Sequence, residues 1–127
     1  MVKAKFTYTG IGVRDLERSI KFYTETLGMK LLGRYKIEET NGEIAELKSP
    51  DGDQMLELNW YHDREEYRNG DEVDHLAFEV QDVDEALTEL RTQGVEVALE
   101  PFNEGGGRLA FIMDPDGIWI ELQGPRK

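Results

Sequence analysis

Four side chains suited to holding a cation stand far apart in this sequence: Tyr8, Glu57, His75 and Glu121. Together they offer oxygen and imidazole donors with no sulfur, a set that fits a divalent ion such as nickel, cobalt, zinc or manganese. A carboxylate beside such an ion can also act as a general base. Singly, a histidine on a strand is ordinarily structural and a glutamate near a strand end ordinarily solvated. What lifts these four above that reading is their placement at matching points of an internal repeat. The other histidine, His62, lies in a charged stretch and reads as a surface residue.

The repeat is found by laying Asp15 over Asp82. "YTGIGVRDLERSIKFYTETLGMKL" (8–31) then matches "HLAFEVQDVDEALTELRTQGVEV" (75–97), with one extra residue at the end of the first. "EIAELKSPDGDQMLEL" (43–58) matches "RLAFIMDPDGIWIEL" (108–122), with one extra residue before Glu57. Each copy reads strand, helix, strand, strand, strand. Asp15 and Asp82 are N-caps, the second with Glu85 three residues on as a capping box. The stripes Leu16, Ile20, Tyr23, Leu27 and Val83, Ala86, Leu87, Leu90 have helical spacing, and Gly28 and Gly94 are the stops. Asp51-Gly52 and Asp116-Gly117 are hairpin turns. Strand alternation sends Leu76, Phe78 and Val80 toward the helix and His75 to the opposite face. By the same alternation Trp119 and Glu121 share one face of the last strand. Met55 and Glu57 share that face in the first copy, with Tyr8, Gly10 and Gly12 along the first strand.

The expected fold is α+β: two βαβββ repeats forming a curved mixed sheet within a single domain of 127 residues. Repeat one spans 4–60, a connector 61–73, and repeat two 74–123. A unit of about 50 residues buries too little surface to stand alone, so two must pack together. The "NEGGGR" stretch (103–108) lacks the Lys-Ser/Thr of a phosphate-binding loop and reads as a flexible loop at a pocket rim.

Composition narrows the partners. Acidic residues outnumber basic ones 27 to 15, for a formal charge of −12. That argues against general affinity for nucleic acid or anionic membrane. There is no cysteine, hence no disulfide framework and no thiolate metal site. No run approaches the ~18–20 apolar residues of a membrane span, and "MVKAKFTYTG" lacks a signal-peptide core. A cytoplasmic protein is expected.

The segments "VRDLERSIKFYTETLGMKLL" (13–32), "MLELNW" (55–60), "DHLAFEVQDVDEA" (74–86) and "DPDGIWIEL" (114–122) resemble the vicinal oxygen chelate superfamily, and within it glyoxalase I (lactoylglutathione lyase). The resemblance implies a homodimer in which the repeats pair into an eight-stranded half-barrel and each metal is shared between chains. Its ligand pattern is His, Glu, His, Glu on the first, fourth, fifth and eighth strands. Glu57, His75 and Glu121 fall on matching positions, and Tyr8 stands at the first. Where the pattern has an arginine contacting the glutathione carboxylate, this chain has Gly12. Asn59 follows Glu57 more closely than the pattern's glutathione-contacting asparagine does.

The implied chemistry is proton transfer between neighbouring carbons of a methylglyoxal hemithioacetal. Glu121 would be the base and a ligand, and Glu57 and His75 would hold the metal. A phenol holds its proton at neutral pH and is a weak ligand there, which leaves three readings of Tyr8. It binds as phenolate, it stands back from a three-ligand ion, or it lines a metal-free pocket with Trp119, Met55 and Phe111. Asn59 is a further candidate substrate contact. The alternative to the lyase is a non-enzymatic small-molecule binding or drug-resistance protein of the same superfamily. A ring-cleaving dioxygenase, which usually takes two histidines and one carboxylate on iron, and a thioester epimerase are the remaining options on this scaffold.

Overall fold

A computed structural model describes all residues except Ala4, Asn69 and Asp71. The first of these belongs to the expected repeat one and the other two to the connector, so those parts of the expectation lie outside the described residues. The chain divides into two compact units, Met1–Tyr67 and Arg68–Lys127, with the boundary inside the expected connector.

In the first unit, β1 (Tyr8–Gly12) leads to α1 (Leu16–Lys21), a π-helical turn (Phe22–Thr26), β2 (Lys30–Ile37), a 3₁₀ turn (Glu38–Thr40), β3 (Gly42–Lys48) and β4 (Met55–Tyr61). In the second, β5 (Leu76–Glu79) leads to α2 (Val83–Thr92), β6 (Val97–Glu104), β7 (Gly107–Met113) and β8 (Trp119–Pro125). Each unit is one mixed four-stranded sheet, ordered β1-β4-β3-β2 and β5-β8-β7-β6. The first strand of each unit runs parallel to the last, and the other pairings are antiparallel. This is the expected βαβββ pattern, written twice.

The helix starts are built alike. Asp15 accepts a hydrogen bond from the Arg18 amide and Asp82 from the Glu85 amide, each at 3.0 Å, so one otherwise unpaired N–H per helix is satisfied. Gly28 and Gly94 close the helices at φ +76° and +78°, in the left-handed region that a Cβ disfavours. The first copy's extra residue between cap and stop is taken up by the π-helical turn, where the Leu27 amide reaches back five residues to the Phe22 carbonyl. This turn rotates the buried side of the segment. Leu16, Ser19 and Tyr23 are fully inside, whereas Ile20 and Leu27, expected in the stripe, are half-buried. In α2, which lacks the extra turn, Val83, Leu87 and Leu90 are buried as the spacing predicts.

The cores alternate along the inner strands. Ala45, Leu47, Leu56 and Leu58 lie beneath α1, and Ala110, Ile112, Ile120 and Leu122 beneath α2. The matching Pro-Asp-Gly turns each close with an amide bonding a carbonyl three residues back, Gly52 to Ser49 and Gly117 to Asp114. The second extra residue of copy one falls in this turn, which spans 49–54 against 114–118. Because the insertion precedes β4, strand phase is kept and the same faces look outward in both copies.

One expectation is corrected. The "NEGGGR" segment is not a flexible loop but the end of a tight hairpin, with Glu104 paired to Gly107 and Asn103 to Arg108. Arg108 forks onto Asp84, Nε to Oδ2 at 2.6 Å and Nη2 to Oδ1 at 3.0 Å, which ties the hairpin to α2. At the start of the connector, Arg64 and Tyr67 lie against Gly12 at the end of β1, and residues 62–66 are exposed. Among the described residues no helix is long and apolar enough to cross a membrane.

The cap and core assignments make a direct test by urea denaturation. Asp15→Ala should lower unfolding free energy by about 1 kcal/mol and Asp15→Asn by a few tenths. Leu58→Ala, which empties part of the first core, should cost about 2–5 kcal/mol.

Candidate functional site

Parallel pairing fixes what faces what on the side of each sheet turned away from its helix. In the first unit Tyr8 pairs with Met55, Gly10 with Glu57 and Gly12 with Asn59. All six belong to the outward phase, while Thr9, Ile11, Leu56 and Leu58 alternate inward. A Cβ on Gly10 would lie 3.9 Å from the Glu57 carboxylate and 3.2 Å from the Asn59 amide nitrogen. The Glu57 and Asn59 side chains therefore lie over the bare stretch of β1. Asn59 Nδ2 makes one long bond, 3.4 Å, to the Glu57 carbonyl. Tyr8, 46 % exposed, stands one same-face step before Gly10. Among the described residues no hydrogen bond joins it to Glu57.

The second unit is more tightly assembled. Ala77 pairs with Glu121, as Gly10 pairs with Glu57, so the two half-sites share one register. His75, just ahead of β5, places Nε2 3.0 Å from Glu121 Oε2. Its other ring nitrogen, Nδ1, lies 2.8 Å from Asp74 Oδ1. Ionised carboxylates accept hydrogen bonds, so both contacts are strongest when each ring nitrogen carries a proton. The Asp74 hydrogen bond first, then the charges of Glu121 and Asp74, raise the His75 pKa above its usual 6.5 against a smaller opposing effect of burial. The Glu121 side chain is 15 % exposed and that of His75 35 %.

Aromatic rings flank this pair. Phe111 meets His75 edge-on at 5.6 Å and lies 5.5 Å from Trp119, which is exposed. Phe111 is also the cross-strand partner of Glu121. The structure thus brings together His75, Glu121, Phe111 and Trp119 in one unit, and aligns Tyr8, Met55, Glu57 and Asn59 on one sheet face in the other. Among the described residues no three imidazole or carboxylate groups cluster closely enough to hold an ion.

Two groups escaped the sequence reading. Asp74 orients His75, and the only signal was an acid directly before the histidine. Arg64 and Tyr67 cover Gly12, and nothing in the spacing of a charged connector marks them.

Comparison with known proteins gives a consistent picture. Residues 5–122 match the model of the Glyoxalase/Bleomycin resistance protein/Dioxygenase superfamily. The chain is 37% identical over 121 residues to a lactoylglutathione lyase of Haemophilus influenzae, covering 91% of this chain and 88% of that one. Its fold superposes on a trypanothione-dependent glyoxalase I of Leishmania major with a TM-score of 0.82 at 35% identity, covering 96% of this chain and 87% of that one. TnmS3, an antibiotic binding protein from Streptomyces sp. CB03234, superposes with a TM-score of 0.79 at 28% identity over 99% of both chains. The paired βαβββ units, their shared register and these matches place the chain in the Glyoxalase/Bleomycin resistance protein/Dioxygenase superfamily, among its glyoxalase I-like members.

Proposed function

We propose that this protein is a metal-dependent glyoxalase I-like lyase that transfers a proton between neighbouring carbons of a small vicinal-oxygen substrate, such as a methylglyoxal hemithioacetal. The observation that carries the reading is the His75–Glu121 pair, with Asp74 behind the imidazole. Enzymes named lactoylglutathione lyase among the relatives support it.

The donor set fits a divalent ion. Asp74 keeps the proton on His75 Nδ1, which turns the Nε2 lone pair toward Glu121 once the Nε2 proton leaves. A carboxylate behind a ligating histidine is the usual support of such a ligand. Glu57, His75 and Glu121 would hold the ion, with Tyr8 at the fourth position, and two carboxylates would balance its charge. A bound divalent ion would stabilise negative charge on two adjacent substrate oxygens. Glu121 would take the proton from one carbon and return it to the next, shielded from water by Phe111 and Trp119. Trp119, Met55, Phe111 and Asn59 would line the substrate. With half a ligand set on each unit, a cytoplasmic homodimer sharing its sites between copies is the assembly proposed.

A second reading rests on the Phe111–Trp119 wall and on Tyr8 in place of a stronger ligand. In it the protein binds an aromatic small molecule without turnover, as the likeness to an antibiotic binding protein suggests.

Elemental analysis separates the two. After stripping and re-equilibration with nickel, cobalt, zinc or manganese, about one ion per chain should be retained, and His75→Ala or Glu57→Gln should release it. Glu121→Gln should slow proton transfer by about 10²–10⁴-fold. No retained ion under any condition would favour the binding protein.

In metal-free protein, the His75 ring signals should titrate above pH 6.5. Asp74→Asn should move the midpoint down. Since the folded-state value is the raised one, the stabilisation from this pairing is complete below the unfolded-state pKa. It is lost as pH rises through the folded-state value. Unfolding measured across that window should show wild type losing its advantage over Asp74→Asn.

A further inference from the structure

The outward face of the first sheet is closed at one end by the chain itself. Along β1 that face runs from Tyr8 through Gly10 to Gly12, opposite Met55, Glu57 and Asn59. At the matching place of the second unit, Glu79 carries a side chain of its own and is exposed. Gly12 carries none, and Arg64 and Tyr67 fill the space instead. A Cβ at Gly12 would lie 3.3 Å from Arg64 Nη1 and 3.9 Å from the Tyr67 ring. At Gly10 the atoms nearest to such a Cβ belong to Asn59 and Glu57, so the candidate site begins two residues before the cover.

The cover is anchored at several points. The Arg64 amide donates to the Tyr61 carbonyl at 3.3 Å, which turns the chain back at the end of β4. The Arg64 guanidinium sits over the Tyr61 ring at 4.4 Å and beside the Tyr67 ring at 5.5 Å. Arg14 lies 5.4 Å from the Tyr67 ring, and its Nη2 donates to the Tyr67 carbonyl at 3.0 Å. Two cations thus share one aromatic ring. The Tyr67 hydroxyl is buried with no hydrogen-bond partner among the described residues. A buried hydroxyl without a partner is unfavourable, so the ring is held by its faces and its packing and not by its oxygen. Tyr67 serves here as volume, not as a phenol.

We propose that Tyr67, held in place by Arg64 and Arg14, is an end wall that limits the length of the substrate, so that this protein takes hemithioacetals of compact thiols and turns away those of peptide thiols. This deepens the lyase reading and rests on it for the reaction. The other end of the face carries the large side chains of Tyr8 and Met55, which leaves the stretch over Gly10 and Gly12 as the direction free of side chains from β1. At ~3.3 Å per residue, Gly12 lies about 7 Å along the strand from Gly10, which Glu57 faces. An extended tripeptide spans about 10 Å. A tripeptide thiol reacting beside Glu57 and lying along β1 therefore runs into Tyr67, and a thiol of one residue or less does not.

The test compares methylglyoxal hemithioacetals of N-acetylcysteine and of glutathione, both of which carry a carboxylate, on the full zinc-loaded chain. Wild type should show a kcat/KM about tenfold or more higher for the N-acetylcysteine adduct, with most of the difference in KM. Tyr67→Ala should bring the ratio close to unity by improving the glutathione adduct. Tyr67→Phe should keep the wild-type ratio, because the hydroxyl has no partner to lose. Wild type that treats the two adducts alike or favours the longer one overturns the proposal, and that comparison holds even if Tyr67→Ala does not fold. So does a ratio that Tyr67→Ala leaves unchanged. A readout without turnover is the amide NMR spectrum titrated with the unreactive S-methyl thioethers of the same two thiols. The shorter should shift the Gly10 signal in wild type, and the longer should do so only in Tyr67→Ala. That pattern without turnover of either adduct would sink the lyase reading and leave the wall standing. No shift from either thioether and no turnover would overturn both.

Discussion

Everything at the site depends on the parallel pairing of the first strand of each unit with its last. That pairing sets Glu57 opposite Gly10 and Glu121 opposite Ala77. Strand side chains have a period of two, so a slip of one residue would turn both carboxylates into the cores. The buried Leu56 and Leu58, and Ile120 and Leu122, prevent the slip, because it would put them in water. The hydrophobic pattern of a strand thereby fixes the placement of the carboxylate between its apolar residues.

Parallel strands need a long crossover, and here the helix together with the two middle strands provides it. The two copies absorb their differences in ways that leave this register alone. One extra residue becomes a π-helical turn after α1, and the other lengthens the turn before β4. Neither lies in a paired strand. The cost is taken where the backbone is free to bend, and the half-sites remain in phase.

The half-sites nevertheless differ in chemistry. In the second unit, His75 lies between two carboxylates with the Phe111 ring edge-on to it, so contacts within the unit fix the orientation of its ring. In the first, two glycines open the sheet face and leave Glu57, Asn59 and Arg64 around a bare stretch of backbone. The organised half draws its partners from the ends of two paired strands, and the open half draws Arg64 from outside the sheet.

The repeat, both helix caps, both glycine stops and the hairpin turns were legible from local spacing, because each rests on interactions within a few residues. The outward phase of Tyr8, Glu57, His75 and Glu121 was legible too, since strand periodicity needs no knowledge of the partner strand. The buried face of the first helix was misjudged at Ile20 and Leu27, because a π-helical turn changes the angular step and leaves no mark in composition. The glycine-rich stretch read as a loose loop because its pairing of Asn103 with Arg108 and the anchor at Asp84 join residues distant in the chain. By itself, the sequence determined the architecture and the identities of the paired carboxylates. Only the tertiary structure decided that His75 meets Glu121 as well as its neighbour Asp74, and that Arg64 occupies the space over Gly12. Those contacts depend on where chain segments return in three dimensions, and a charged connector without periodicity does not encode its own path in any local pattern.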